Sequence, residues 1–423
     1  MTTHPQSRLT HFPIQEIDLP SSFAVDFLSE FVRAAEFDKT GKQSSHSIIV
    51  SLISHKIGEK LGLERKEMKE LFFAALLHDI GGIAQAEHIS EKLVAIPDIF
   101  GQKNDFFIFA HSHRSETILK SFPTFRKISE IVKSHHEFFD GGGFPSGLSG
   151  EKIPLFSRII RIADTVDILL KLHSVNKKDD LISLLNIVAG EEFDPAIYGV
   201  FAQLIQESDL FEVLKDPKAV ELEIEAIKKL MPDNYYFSAP DTINRFFRTV
   251  AVMTDNITSY EDTHSLRVAE FAVNIAYLLK LDPDEILLVR WASFLHDIGK
   301  IKGDRSVYTK KDKLSESEWS KIREHPQKSF DIINKVSGME KIAYYILHHH
   351  ENFDGSGYPD NLSANRIPLA SRILRVADAF DAMTTDRIYH RKKDWQRALK
   401  ELKNFSGTQF DPEIVELFID NLS

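Results

Sequence analysis

The sequence predicts an all-α protein built from two tandem helical bundles. Three observations predict it. A set of motifs occurs twice, in the same order and at nearly the same spacing, which marks a duplication. Apolar residues around those motifs recur at i, i+3, i+4 and i+7, the period of a helix with one buried face. Alternating apolar and polar runs of the strand kind are rare. With 423 residues, 43% of them hydrophobic, the chain is long enough for two or three ordinary domains with their own cores.

Residues 1–20 read as a polar, proline-punctuated N-terminal tail. The first copy is placed at 21–208. In it Ile49, Leu52, Ile53 and Ile57 follow His46 at helical spacing. Residues 209–240 read as a helical linker, carrying the acidic run Val220-Glu221-Leu222-Glu223-Ile224 and stopped by Pro232. The second copy is placed at 241–423. There Val268, Phe271, Ala272, Ile275, Leu278 and Leu279 line one face after His264. Leu287, Trp291, Phe294 and Leu295 line another just before His296.

The repeats define the copies. Leu77-His78-Asp79-Ile80-Gly81 returns 218 residues later as Leu295-His296-Asp297-Ile298-Gly299, and His46-Ser47 returns as His264-Ser265. His135-His136-Glu137 returns as His349-His350-Glu351 at an offset of 214, so the first copy holds a net four extra residues in a loop-like stretch with Pro97 and Gly101. Ile153-Pro154-Leu155, Ala163-Asp164 and Phe193-Asp194-Pro195 return as Ile367-Pro368-Leu369, Ala377-Asp378 and Phe410-Asp411-Pro412.

Composition excludes several chemistries. There is no cysteine, so disulfides, thiolate catalysis and cysteine-held metals are ruled out. A net charge of −11 argues against long nucleic acid, whose phosphates demand clustered Lys and Arg. No run approaches the ~18 apolar residues of a membrane span, and the N-terminal stretch lacks the apolar core of a signal peptide. A cytoplasmic location without membrane contact is the expectation.

Histidine occurs 18 times, and many of these stand beside Asp or each other. In the second copy the candidate ligands are His264, His296, Asp297, His325, His349, His350 and Asp378. Neutral imidazoles with ionised carboxylates suit iron, manganese, nickel or zinc. Seven side chains exceed what one catalytic metal takes. They predict a pair of ions with one Asp bridging, an arrangement suited to phosphoester hydrolysis. A lone His-Asp pair is more often a helix-end feature than a ligand. The recurrence of the whole set carries the metal reading. Beside the double His, Asp354-Gly355-Ser356-Gly357-Tyr358-Pro359 reads as a substrate-lining loop.

These segments resemble the HD-GYP family, a branch of the HD phosphohydrolases. The run from His349 to Pro359 and the segment His296-Asp297-Ile298-Gly299-Lys300 match its signatures, and the resemblance covers about 180 residues of the second copy and, more weakly, the first. It implies two HD-type bundles and a metal-dependent phosphodiesterase. That enzyme would open a cyclic dinucleotide, cyclic di-GMP or 3′3′-cyclic GMP-AMP, to a linear one through a metal-activated hydroxide. It implies two divalent ions per active site, iron or manganese before nickel or zinc. It implies substrate contacts from Lys300, Tyr358 and Arg387, with Lys300 and Asp297 in the catalytic step. The segment Asp386-Arg387-Ile388-Tyr389-His390 departs from the family's Asp-Arg-Pro-Tyr-Arg. Members with a third metal carry Glu four residues before the first His. Tyr260 stands there, with Glu261 next to it, so two metals are expected. Glu351 is expected to orient a ligand imidazole.

The first copy keeps its candidate ligands His46, His78, Asp79, His111, His135, His136 and Asp164. Gly82 replaces Lys300, Phe144 replaces Tyr358, His173 falls at the position of Arg387, and Lys42 precedes the first His by four. The expectation is a metal-binding but weakly hydrolytic domain, regulatory or dimerising, in contact with the second. Activity on a different ligand is the other reading. For the whole chain, the alternatives to a phosphodiesterase are a cyclic dinucleotide receptor with little turnover and an HD phosphohydrolase acting on mononucleotides. The protein as a homodimer is a further expectation.

Overall fold

The computed structural model describes residues 19–36, 44–82, 106–122, 125–172, 175–231, 240–258, 263–310, 312–385 and 394–422. Helices dominate, and the described residues hold no sheet, only the isolated bridges Ala189–Phe193 and Ser406–Phe410. Two compact units form: Ala24–Tyr236, and Phe237–Ser423 with Met1–Phe23.

In the first unit the helices are α1 Phe23–Ala35, α2 His46–Leu61, α3 Arg65–Leu76, α4 Phe106–Lys120, α5 Arg126–Lys133, α6 Leu155–Leu172, α7 Lys178–Asn186, α8 Pro195–Glu207, α9 Leu210–Lys215 and α10 Pro217–Leu230. The last two occupy the stretch expected as a linker. They belong to this unit, and α10 packs on α2 while burying Val220, Ile224 and Ile227. The acidic residues around that stripe find basic partners on other helices: Glu221 takes Arg33 of α1 at 2.6 Å and Glu223 takes Lys56 of α2 at 2.7 Å.

The second unit repeats the plan with α11 Pro240–Thr258, α12 His264–Leu278, α13 Pro283–Leu295, α14 Arg305–Tyr308, α15 Glu316–Arg323, α16 His325–Ile333, α17 Glu340–Leu347, α18 Leu369–Thr384, α19 Trp395–Asn404 and α20 Pro412–Leu422. Local sequence sets the helix starts. Asp282 caps α13 by accepting from the Glu285 amide at 2.9 Å, with Pro283 in the first turn. Ser315 and Glu318 form a reciprocal capping box on α15. Aromatic packing fixes the bundle. Phe380 of α18 is fully buried and meets Phe271, Trp395 and Phe418 edge-on at 5.0, 5.4 and 5.1 Å, which joins α12, α19 and α20 to α18. Trp291 is buried in α13, and its indole N–H donates to Asn244 of α11 at 2.7 Å. Among the described residues, no helix is long and apolar enough to cross a membrane.

Candidate metal centre

Most of the candidate ligand histidines stand just past the end of a helix, and that position decides which ring nitrogen faces inward. The last carbonyls of a helix lack intrahelical partners. In the second unit, Nδ1–H of His296 donates to Ser293 O at 2.8 Å, that of His325 to Ile322 O at 2.7 Å, and that of His349 to Ile346 O at 2.6 Å. Each bond spends the Nδ1 proton on a carbonyl three residues back and leaves the Nε2 lone pair free to bind a cation. His264 starts α12. Its Nδ1 bonds the buried Asp381 carboxylate at 2.6 Å instead.

Asp297 lies at the centre of the cluster. Its Oδ1 is 3.2 Å from His325 Nε2, and its Oδ2 is 3.4 Å from His296 Nε2 and 3.8 Å from His264 Nε2. Asp378 approaches His264 Nε2 at 3.4 Å. One group is therefore His264, His296 and Asp378, and another is His325, His349 and His350, with Asp297 turned toward both. Lys300 donates to Asp297 Oδ2.

The donor set fits divalent cations. His296 Nε2 is buried without a hydrogen-bond partner while facing a carboxylate. Burial, reinforced by neighbouring imidazoles, pulls His349 and His350 well below the ordinary histidine range, and burial takes His325 down to about 4. These three are neutral donors at neutral pH. Burial opposes charge on Asp297, but His296, Lys300 and His325 outweigh it and hold the carboxyl well below its usual range. Burial likewise works against charge on His296. Asp297 and Asp378 outweigh it and raise this imidazole to about 9, so this end of the site favours positive charge.

The turn carrying His296 and Asp297 is clasped to α16. Gly299 N–H donates to Ser329 Oγ at 2.8 Å, and that hydroxyl donates to His296 O at 2.8 Å. A methyl group on Gly299 would overlap Ser329 N and His325 O, which explains why glycine follows the His-Asp pair. Gly299→Ala is expected to push α16 and His325 outward and to cost about 1–3 kcal/mol of stability, read from the denaturant midpoint.

Tyr358 stacks on His350 with ring centroids 5.1 Å apart and 30° between planes. Its loop folds back closely enough that a Cβ on Gly357 would overlap Asn352 N. Glu351, expected to orient an imidazole, is buried and accepts the Asp360 amide at 2.7 Å. It holds the loop; His296, His325 and His349 take backbone carbonyls and His264 takes Asp381 for that purpose. Arg387, His390, Tyr260, Glu261, His173 and Lys42 lie outside the described residues.

The first unit builds the same centre. Asp79 Oδ1 lies 3.3 Å from His111 Nε2 and 3.7 Å from His135 Nε2, while Oδ2 lies 3.6 Å from His78 Nε2 and 3.8 Å from His46 Nε2. His46 Nε2 is 3.2 Å from Asp164, and His46 Nδ1 bonds Asp167 at 2.6 Å. His136 joins His111 and His135, with Phe144 stacked on it at 4.9 Å, where Tyr358 stands in the second unit.

Four residues of these centres escaped the sequence reading: Asp167 and Asp381 behind the first His of each copy, and Arg161 and Arg375 behind the second of the paired His. Each pair recurs at the 214-residue offset already found, and that recurrence was the available signal.

The HD domain family matches residues 31–197 and again 249–414, together most of the chain. The chain belongs to the HD domain family. Each match spans one of the two centres. Among HD domain relatives, the 3′3′-cGAMP-specific phosphodiesterase 3 of Vibrio cholerae is 27% identical, over 95% of this chain and 93% of that protein. The cyclic di-GMP phosphodiesterase response regulator RpfG of Xanthomonas campestris is 33% identical over 42% of this chain and 47% of its own length. The crystal structure of a V. cholerae cyclic GMP-AMP-specific phosphodiesterase, V-cGAP3, superposes with a TM-score of 0.65 at 23% identity, covering 96% of this chain and 97% of that one. This last likeness establishes a shared fold along the two units.

Proposed function

We propose that the protein is a metal-dependent phosphodiesterase that opens a cyclic dinucleotide to its linear form, and that the second unit carries the reaction. The observation that carries this reading is Asp297, with one oxygen toward His264 and His296 and the other toward His325. A carboxylate so placed between two imidazole groups suits a pair of divalent ions, held by His264, His296, Asp297, His325, His349, His350 and Asp378. Iron or manganese is the expected pair. Ions bound there would supply activated water and positive charge for a phosphodiester in hydrolysis.

The chain's own residues orient the rest. Ile322, Ile346 and Ser293 carbonyls and the Asp381 carboxylate fix the imidazole tautomers. Burial raises the Tyr358 hydroxyl to about 12, so it stays protonated and can donate a hydrogen bond to a phosphate oxygen or ribose. Lys300, on Asp297, sets positive charge beside the reacting phosphate. In the first unit both contributions are missing, since Gly82 and Phe144 stand there. That unit is assigned a metal-binding, regulatory part. Tyr358→Phe, which gives the second unit the first unit's aromatic, is expected to keep fold and metal content and lower kcat/KM about tenfold.

For the substrate, 3′3′-cyclic GMP-AMP is favoured over cyclic di-GMP. The relative aligned along both copies is named for the former, whereas RpfG aligns with less than half of this chain. The deciding experiment gives manganese- or iron-loaded protein equal amounts of both dinucleotides and resolves the products by chromatography. Faster loss of 3′3′-cyclic GMP-AMP is expected. No turnover of either by metal-loaded protein would reject the phosphodiesterase and favour a receptor.

A further inference from the structure

Arg375 sits on α18, one turn before Asp378, against the paired histidines. One guanidinium nitrogen lies 3.3 Å from His350 Nδ1, and another donates to Asn352 Oδ1 at 3.0 Å. Its Nε is buried without a hydrogen-bond partner, as is that of Arg161 in the first unit, so the two differ in their ion pairs and not at this atom. Its side-chain hydrogen bonds go to these two neutral groups, and the Asp378 carboxylate acts on it from one turn away. Burial weighs against the charge of this half-buried guanidinium, and Asp378 one turn on offsets that only in part, so a bound anion would stabilise it.

The first unit provides the internal comparison. Arg161 occupies the equivalent place, 3.4 Å from His136 Nδ1, and is buried. It is neutralised twice, by the buried Glu192 and by Asp164 at 3.3 Å. Its other neighbour is Phe138, whose ring centroid lies 5.1 Å away, where the second unit has Asn352. The motif Phe193-Asp194-Pro195 and its repeat Phe410-Asp411-Pro412 align Glu192 with Gln409. The exchange is local. Arg158 pairs with Asp194 in the first unit just as Arg372 pairs with Asp411 in the second. Only the arginine that meets the metal-side histidine changes its partners.

We propose that Arg375 binds a phosphodiester oxygen of the substrate, and that Glu192 occupies and silences the equivalent arginine in the first unit. A planar guanidinium offers paired donors matched to phosphate oxygens, and its place beside His350 puts those donors at the edge of the metal centre. The second unit presents this cation to a ligand. The first unit ties it to its own carboxylates. The inference rests on the phosphodiesterase reading for the identity of the ligand, and on the arginine's surroundings for the anion site itself.

The test imports the first unit's lock into the second. Manganese-loaded, full-length Gln409→Glu, Arg375→Gln and Arg375→Lys proteins are compared with wild type for KM and kcat on the cyclic dinucleotides. Affinity for inorganic phosphate is measured by calorimetry, metal content by mass spectrometry and fold by circular dichroism. Gln409→Glu and Arg375→Gln are expected to raise KM and weaken phosphate binding about 10- to 100-fold at unchanged metal content, with Arg375→Lys between them and wild type. KM and phosphate affinity within about twofold of wild type in a folded, metal-loaded Gln409→Glu protein would overturn the proposal. If that variant does not fold, Arg375→Gln decides by the same measures. If wild type hydrolyses no cyclic dinucleotide, the phosphodiesterase reading falls by itself. Phosphate binding then decides Arg375 alone: weakening in the variants supports the anion site, and equal affinity removes it.

Discussion

Alanine at Asp297 or His296 is expected to lower cyclic dinucleotide turnover by at least ~1,000-fold, whereas alanine at the equivalent Asp79 or His78 leaves it within about threefold. The expected asymmetry does not come from the candidate metal ligands. Both units bring together the same seven side chains, one of them a central carboxylate, with imidazole Nε2 atoms at comparable distances from it. It comes from what surrounds them. In the second unit Lys300 covers Asp297, whose side chain is 4% exposed; in the first, Gly82 leaves Asp79 21% exposed. Tyr358 offers a hydroxyl where Phe144 offers none. Binding cations is therefore open to both units, while the groups that would meet a phosphate stand in one. Steady-state rates with metal content measured for each variant check this. Equal losses from both pairs of alanines would mean that both centres hydrolyse, and would end the division of labour.

The clustering of these side chains was legible in the sequence because few other roles place that many histidines at fixed spacing without cysteine. His135-His136 and His349-His350 name themselves once the duplication is seen. The groups that hold the ligands were harder to read, for a physical reason. Arg375, Asp378 and Asp381 fall on one helix three residues apart, a spacing that also describes a solvated face laced with ion pairs. Nothing in that pattern says that Asp381 is buried against His264 or that Arg375 turns to His350. Glu351 was misjudged because its position next to two ligands suggested a partner for them. The tight return of the Gly357 loop carries its carboxylate to the Asp360 amide instead. The helical stretch after residue 209 was read as a linker from its acidity. Its charges are matched by α1 and α2, and its apolar stripe closes the first unit. In each case the missing information was which distant element lies opposite.

Asp381→Ala is the sharper test of how the centre is held, because Asp381 is not among the residues placed on a metal. The His264 Nδ1 bonds this carboxylate at 2.6 Å, whereas those of His296, His325 and His349 bond backbone carbonyls. Burial disfavours charge on Asp381, but hydrogen bonds from His264 and Arg267 outweigh it and hold the carboxyl below its usual range. Arg267 Nε and a terminal nitrogen reach it at 2.5 and 3.1 Å. The ionised carboxylate orients the imidazole and makes it a better donor toward a cation. Removing it frees the ring to turn and takes two hydrogen bonds from the Arg267 guanidinium. Metal affinity is expected to fall about 10- to 100-fold, with activity recovering as metal is added in excess. Asp381→Asn separates charge from geometry. The amide can still accept from Nδ1–H but brings no charge, so its metal affinity should lie between alanine and wild type. A titration with manganese, followed by metal content and by rate, distinguishes these outcomes. Wild-type affinity in a folded Asp381→Ala protein would show that His264 is positioned by its helix alone, and the Asp–His pair would then have no part in metal binding.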